Sequence, residues 1–300
     1  MNDKFLAIVN PAAGGGRSAK LAGTELAKLR EKGLRVDVIA STEPRHASDL
    51  AHEAYDQGYR KFLAVGGDGT AHEVINGIFA RRGATERVEL GFLPMGTGNS
   101  FLRDFSKDSH ASSMDALLAG RKRPVDLLRL VHRDGVLYSF NLLSVGFTAD
   151  VGALTNRVFK PFGHVGYLLG VFVRVAQLKR RSFKLRCDDD KEWDDRRCLF
   201  LTFNNSKYTG GTMLIAPQAD PSDGLIEHVR WGPIGRLGLL TMLPRLYDGT
   251  HVTHPLASRR AVRHVDFAFG GPVDVMIDGE IVTVECESLD ILPGAMDVYI

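Results

Sequence analysis

Asp68 stands between two glycines, in Gly66-Gly67-Asp68-Gly69-Thr70, directly after the apolar run at 61–65. An ionised carboxylate there serves no packing purpose. The glycines let a phosphate come close to the backbone, and the carboxylate could hold a hydrated Mg²⁺ or a ribose hydroxyl. Thr70 is placed to cap a following helix, and Glu73 lies at capping-box spacing from it. A second turn, Gly96-Thr97-Gly98-Asn99, follows the apolar run at 90–93 with a hydroxyl and an amide on offer. A third segment, Asn10-Pro11 followed by Gly14-Gly15-Gly16, leaves the run at 5–9 and enters a helical pattern. Successive backbone N–H groups in such a turn can form an anion-binding nest. The lysine of a Walker A loop is absent, and so is the GxGxxG fingerprint. Later in the chain, Asp220 and Asp223-Gly224-Leu225 fit either a hydrated hard cation or a tight turn. Asp278-Gly279, between two apolar runs, reads first as a hairpin turn, with Glu280 next to it.

The elements that must position these residues follow from periodicity. Strands are expected at 5–9, 36–39, 61–65 and 90–93. Helices are expected at 20–32, 47–57, 72–81 and 114–119. Strand–helix alternation at this spacing gives an α/β domain, a parallel sheet with helices on both faces. Ligands bind such sheets at the carboxyl ends of the strands, where all three glycine-rich segments fall. From about residue 124 the pattern becomes β-rich. Runs at 125–131, 136–144, 183–187, 198–203, 225–229, 262–269, 273–277 and 281–286 predict a mostly antiparallel domain. Helices are expected to interrupt it near 165–178 and 234–247. The domains are therefore 1–124 and 125–295, with 296–300 returning to the first.

Composition narrows the function. The 38 basic and 36 acidic residues give a net charge of +2, which argues against a nucleic-acid binder held by a general positive field. Local basic clusters, Arg121-Lys122-Arg123 and Lys179-Arg180-Arg181, fit either solvated edges or anionic headgroups. The spacing of Cys187, Cys198 and Cys286 matches no zinc site, and their odd number argues against a disulfide framework. A reducing cytoplasm suits them, although Cys187 and Cys198 could face each other across a hairpin. The N-terminus lacks the h-region of a signal peptide. No apolar run approaches the ~20 residues that span a bilayer, so membrane contact is expected to be transient and peripheral.

Taken in order, the motifs resemble the diacylglycerol kinase catalytic family, in particular the bacterial lipid kinases without a membrane span. The matching segments are Asn10-Pro11 with its glycines, GGDGTAHEVINGI at 66–78, PMGTGNSFLRDF at 94–105, RPVDLLRL at 123–130, PQADPSDGL at 217–225 and IDGE at 277–280. The resemblance implies a Rossmann-like nucleotide domain followed by a β-sandwich domain of the NAD kinase/diacylglycerol kinase type. It also implies an active site in the cleft between them, ATP and Mg²⁺ as cofactors, a lipid acceptor at a membrane surface, and a homodimer. By that match Asn10, Gly67, Asp68, Thr70, Glu73, Gly96 and Thr97 line the ATP site. Asp68 and Asp126 join an Asp–water–Mg²⁺ network. Asp223, with the Leu225 carbonyl and Asp220 nearby, holds a second, structural Mg²⁺. Asp278 is the general base, with Glu280 beside it. One departure is Asn99-Ser100 where many bacterial members carry Asn-Asp, a form closer to sphingosine kinases. The expected reaction is transfer of the γ-phosphoryl group of ATP to diacylglycerol. Other acceptors to weigh are a sphingoid base, ceramide, phosphatidylglycerol and, in NAD kinases, a ribose hydroxyl. A non-catalytic nucleotide- or lipid-binding regulator would have lost the acidic residues.

Overall fold

The computed structural model describes residues 2–82, 87–154, 177 and 180–300. The helix expected over 165–178 lies outside the described residues except for residue 177. The chain divides into two compact units, residues 1–127 with 292–300, and residues 128–291. Asp126, which a boundary at 124 would assign to the second domain, thus falls in the first unit.

In the first unit, β1 (Asn2–Val9), β2 (Val36–Ala40), β3 (Tyr59–Gly66) and β4 (Val88–Pro94) form a parallel sheet in the order β2-β1-β3-β4. The end of the last strand of the chain adds to β4, again in parallel, with Met296 opposite Val88. The strands read as continuous apolar runs because both faces are covered. Phe5, Ala7 and Val9 pack with Leu26 and Leu29 of α1 (Arg17–Glu31) and with Leu117 of α4 (Ser109–Ala119). The intervening Leu6 and Ile8 are buried on the other face, where α2 (His46–Asp56) and α3 (Asp68–Arg82) lie against β1 and β3. Gly77 lets α3 approach α2: a Cβ there would fall 2.9 Å from the Ser48 carbonyl carbon. One expectation is corrected here. The helix expected at 72–81 begins at Asp68, so Thr70 lies within its first turn and not at its cap; the Gly67 carbonyl accepts from Thr70 N (3.0 Å) and Ala71 N (3.3 Å).

In the second unit, two antiparallel arrays enclose one core. The chain runs through β5 (Lys122–His132), β6 (Gly135–Ser139), β7 (Leu142–Gly146), α5 (Phe147–Leu154), β8 (Arg181–Ser182), β9 (Leu185–Cys187), β10 (Arg197–Cys198) and β11 (Phe200–Asn204). It continues through β12 (Tyr208–Thr209), β13 (Met213–Leu214), β14 (Ile226–Trp231), β15 (Ala257–Val262), β16 (His264–Phe267), β17 (Val273–Ile277), β18 (Glu280–Val284) and β19 (Cys286–Tyr299). One array is a six-stranded sheet, β15-β14-β11-β7-β17-β18. The other contains β9-β16-β19 and the β5–β6 hairpin. Leu143, Val145, Leu201, Phe203 and Ile277 from the first meet Leu128, Leu185, Val265 and Leu289 from the second in a single cluster. That is the β-sandwich arrangement. Three expected runs and one expected helix split, the run at 198–203 at Leu199. The run at 136–144 breaks between β6 and β7, and the run at 262–269 passes from one array to the other at Arg263. The helix expected over 234–247 divides into Arg236–Met242 and Arg245–Asp248 around Pro244, which cannot continue a helix.

Cys187, Cys198 and Cys286 are all free and buried, so no bridge links Cys187 and Cys198. Burial pushes their thiols up to about 11, 11 and 12, which suits packing and not redox chemistry. No helix among the described residues is long and apolar enough to cross a membrane.

A charged row crosses β9, β16, β19 and β5 of the second unit. Arg186 pairs with Asp266 (2.7 Å), His264 bridges Asp266 (3.0 Å) and Asp290 (2.7 Å), and Arg129 holds the other oxygen of Asp290 (3.1 Å). Burial alone would lower the His264 pKa, but the hydrogen bonds to Asp290 and Asp266 together raise it. A raised folded-state pKa gives stability that is complete below the unfolded value and lost as pH rises through the folded one. The melting-temperature advantage of the native chain over His264→Gln is therefore expected to shrink by about 1 °C from pH ~6 to ~8, a small effect because the site is solvent-screened. Melting curves of both proteins at each pH measure it, and a constant difference would reject the clamp.

Candidate active site

Three glycine-rich turns come together at the carboxyl ends of β1, β3 and β4. After β1, Asn10 folds into an Asx turn, its Oδ1 accepting from Ala12 N (3.1 Å). Gly14, Gly15 and Gly16 then take φ of 62°, 66° and 87°, a left-handed succession that admits α1 at Arg17. A Cβ on Gly14 would strike the Met95 carbonyl, so the first turn rests on the third. The second and third turns are in backbone contact. Met95 N (2.7 Å) and Gly96 N (3.0 Å) donate to the Gly66 carbonyl, and a Cβ on Gly96 would lie 2.5 Å from Gly67 Cα. Gly66 is fixed from its other side by the Thr70 side chain, which occupies the space a Cβ would need.

Asp68 is half-buried at the start of α3, and its Oδ2 accepts from Ser100 N (2.8 Å). The residue that departs from the usual bacterial Asp thus contributes its backbone to this contact, which any residue other than proline supplies. Asn99, at φ 51°, donates from Nδ2 to the Gly96 carbonyl (3.1 Å) and stabilises the turn. Thr97 is exposed at its tip. Glu73 does something the sequence reading did not foresee. Its Oε2 accepts from Ala47 N (3.2 Å) in the first turn of α2, so it caps a neighbouring helix and not its own. Asp126 is buried, and its Oδ1 accepts from Gly294 N (2.6 Å), tying β5 to β19.

Beside these turns lies a recess of about 510 Å³ whose walls include Arg17, Gly98, Asn99, Arg103, Lys107 and His110. Arg17, Arg103, Lys107 and His110 stand there next to two of the glycine-rich turns, with Asp108 also in the wall. None of the four was singled out from the sequence. Arg17 follows the glycine run directly, and Arg103 sits in a 3₁₀ turn (Phe101–Asp104) just past Asn99. Their proximity to the motifs was the available signal.

In the second unit Asp278 turns out to be more than a turn residue. Asp278 and Gly279 have φ of 49° and 93°, the signature of a type I′ hairpin between β17 and β18. The carboxylate is nevertheless buried. Oδ1 accepts from Ser139 Oγ (2.5 Å), Asn141 N (3.0 Å) and Leu142 N (3.2 Å), and Oδ2 accepts from Phe140 N (3.3 Å). Three successive amides at the β6–β7 break form a nest around one carboxylate. Glu280 does not share this environment: it is exposed, opposite Ile277 across the hairpin.

Asp220, Asp223 and Leu225 line one pocket of about 340 Å³ together with Glu227, Arg259 and Arg260. Asp220 Oδ1 accepts from Ser222 N (3.0 Å) and Asp223 Oδ1 from Leu225 N (2.9 Å), two Asx turns in tandem. The guanidiniums are neutralised, Arg259 by Glu227 and Arg260 by Asp190. Of the two alternatives read from the sequence, these hydrogen bonds show the tight turn.

Among the described residues no three His, Cys, Asp or Glu side chains converge as a metal-binding group. Mg²⁺ on a nucleotide needs only one or two carboxylates, with phosphate and water completing its shell. Asp68, half-buried beside the cationic recess, fits that mode. The Asp220–Asp223 pair offers only oxygen donors, as a hard cation requires.

Comparison with known proteins agrees with this fold. Residues 4–130 match the model of the diacylglycerol kinase catalytic domain, and residues 141–300 match the YegS C-terminal NAD kinase beta sandwich-like domain. A diacylglycerol kinase of Mycobacterium tuberculosis is 28% identical over 299 residues, 98% of this chain and 94% of that one. A Pseudomonas aeruginosa protein named "Probable lipid kinase YegS-like" is 28% identical over 300 residues, 99% of this chain and 94% of that one. A crystal structure of a diacylglycerol kinase from Bacillus anthracis superposes with a TM-score of 0.70 at 17% identity, covering 99% of this chain and 96% of that one. With both halves accounted for, the chain belongs to the diacylglycerol kinase and YegS-like family of lipid kinases.

Proposed function

We propose that the chain transfers the γ-phosphoryl group of ATP to the free hydroxyl of diacylglycerol, giving phosphatidic acid. The observation that carries the nucleotide half is the packing of three glycine-rich turns beside a recess containing Arg17, Arg103 and Lys107. The acceptor half rests on relatives named diacylglycerol kinases.

In this reading the amides of Gly14, Gly15, Thr97, Gly98 and Asn99 bind phosphate oxygens, and the three cations offset the triphosphate charge. Asp68 and Asp126 would hold the nucleotide's Mg²⁺, and Asp220 and Asp223 a structural one. When bound, the nucleotide's Mg²⁺ supplies charge neutralisation at the β- and γ-phosphates. Asp278 takes the proton of the acceptor hydroxyl, a contribution of ~10²–10⁴-fold. Its nest fixes where the carboxylate stands, so little is left to reorganise during the reaction. Positioning provides most of the remaining acceleration, because phosphoryl transfer needs little covalent chemistry from the protein.

A second reading has one specific observation behind it. Asn99-Ser100 replaces Asn-Asp, and the Ser100 side chain belongs to a buried residue beside Asp68, so a sphingoid base or ceramide is the other acceptor to test. Radiolabelled ATP with diacylglycerol, sphingosine, ceramide, phosphatidylglycerol and NAD, resolved by chromatography, decides among them. Diacylglycerol should give the main product; a main product from any other acceptor rejects the assignment. For the metal role, Asp68→Ala should abolish the Mg²⁺ dependence of ATP affinity, seen as unchanged ATP Kd across a Mg²⁺ titration. A titration curve like that of the native chain would reject the role of Asp68.

A further inference from the structure

We infer that a face of the second unit formed by Arg180, Arg197, Arg236 and Leu237 docks on an anionic bilayer. The inference rests on the reading that the acceptor is a membrane lipid.

Leu237 is 80% exposed, far beyond the other exposed large apolar side chains among the described residues. Its helix, Arg236–Met242, does not need it for packing, since Leu239 and Met242 are buried in the cluster around Trp231. A single exposed leucine is ordinary on a protein surface. Its surroundings are not. Together with Arg180, Arg197 and Arg236 it lines a recess of about 630 Å³. Several other surface arginines of this unit are matched to carboxylates, Arg181 to Asp150, Arg186 to Asp266, Arg196 to Asp194 and Arg260 to Asp190, whereas the recess brings three together around one exposed leucine. Among the described residues neither Arg197 nor Arg236 has a carboxylate partner, and Arg180 donates only to the Ile234 carbonyl (3.2 Å).

Three guanidiniums with no carboxylate partner around one projecting apolar side chain match the headgroup layer of an anionic membrane. The cations lie among the phosphates, and the leucine enters the boundary of the acyl chains. Charge makes the contact selective for anionic lipid and leucine gives it depth. Both are weak enough singly for reversible binding.

The test is co-sedimentation of the full chain with phosphatidylcholine vesicles and with the same vesicles containing phosphatidylglycerol. The native chain should prefer the anionic vesicles, and added salt should weaken the preference. Arg197→Gln with Arg236→Gln should lower partitioning about 25-fold, near fivefold per arginine, while Arg236→Lys should keep it. Leu237→Gln should lower binding to both vesicle types. Phosphorylation of a short-chain, water-soluble acceptor without vesicles should be unchanged in every variant, with far-UV circular dichroism reporting the fold. Equal vesicle binding by the native chain and the arginine double variant overturns the inference. So does binding of the native chain to polyglutamate but not to anionic vesicles, since the face would then serve an acidic protein. Loss of vesicle binding with no phosphorylation of any lipid would leave the docking face standing and remove the lipid-kinase reading instead.

Discussion

Asp278→Asn is expected to lower kcat by about 10²–10⁴-fold with ATP affinity near the native value. Asparagine is the clean substitution at this position. It tolerates the positive φ of 49° and is favoured before glycine in a type I′ turn, so the hairpin survives. It is not silent for stability, however. The amide oxygen can still accept from Ser139, Asn141 and Leu142, but the amide nitrogen then faces the Phe140 N–H, donor against donor, at a contact now 3.3 Å long. An unsatisfied buried donor costs about 1–3 kcal/mol. With a shift of ~2–4 °C per kcal/mol, the melting temperature should fall by several degrees, about 2–12 °C. Ser139→Ala separates the structural role from the chemical one. It removes the 2.5 Å hydroxyl contact and should lower stability by about 1 kcal/mol while leaving kcat within about threefold of native, since ~0.6 kcal/mol in the barrier is all that allows. Assays well below both melting temperatures read the two effects apart. Near-native turnover in Asp278→Asn would remove the general-base assignment. Equal kcat losses in both variants would show that the carboxylate acts only through the fold.

The nest around Asp278 also marks where sequence reading reached its limit. Residues 136–144 form one apolar run, and periodicity alone makes them one strand. The break at Phe140-Asn141 exists because three amides there turn toward a carboxylate 136 to 138 residues away in sequence. No local pattern encodes such a pairing, and a DG pair between strands announces only a hairpin. In the first unit the opposite holds. The parallel sheet, its order of strands and helices, and the meeting of the glycine turns at the carboxyl edge follow from local patterns: apolar runs, helix periodicity and punctuation by glycine. The cations of the recess were hidden for a different reason. Arg17, Arg103 and Lys107 sit on separate elements, and each taken singly looks like a solvated helix end. Only the fold puts them in one recess. Glu73 shows the converse error, in which a spacing that fits a capping box is used across two helices instead, because α2 and α3 pack closely at Gly77. Pro244 is a local signal that divides the helix expected over 234–247.

Gly96→Ala should reduce ATP affinity at least about tenfold, or ~1.4 kcal/mol, and destabilise the chain as well. The φ of Gly96 is not in the left-handed region, so alanine meets no backbone strain of its own. The obstacle is the neighbouring turn, with Gly67 Cα at 2.5 Å and Gly67 N at 3.1 Å from the new methyl. Both are backbone atoms of the segment that carries Asp68, and they cannot swing aside as a side chain would. The two turns must therefore move apart, which strains the bonds from Met95 N and Gly96 N to the Gly66 carbonyl and displaces the amides offered to phosphate. Overpacking of this kind costs about 1–3 kcal/mol. Gly77→Ala provides the control. There the methyl would collide with the Ser48 backbone between α2 and α3, remote from the turns. Glycine to alanine inside a helix ordinarily gains about 1 kcal/mol, so a net loss of melting temperature would measure the close approach itself. Gly77→Ala should melt earlier and yet bind ATP with native affinity in the temperature range where it is folded. Calorimetric titration of ATP into both variants distinguishes them. If Gly96→Ala binds as tightly as the native chain, the nucleotide does not lie on these turns. If Gly77→Ala loses affinity equally, the loss at Gly96 reports a loosened fold and not displaced amides.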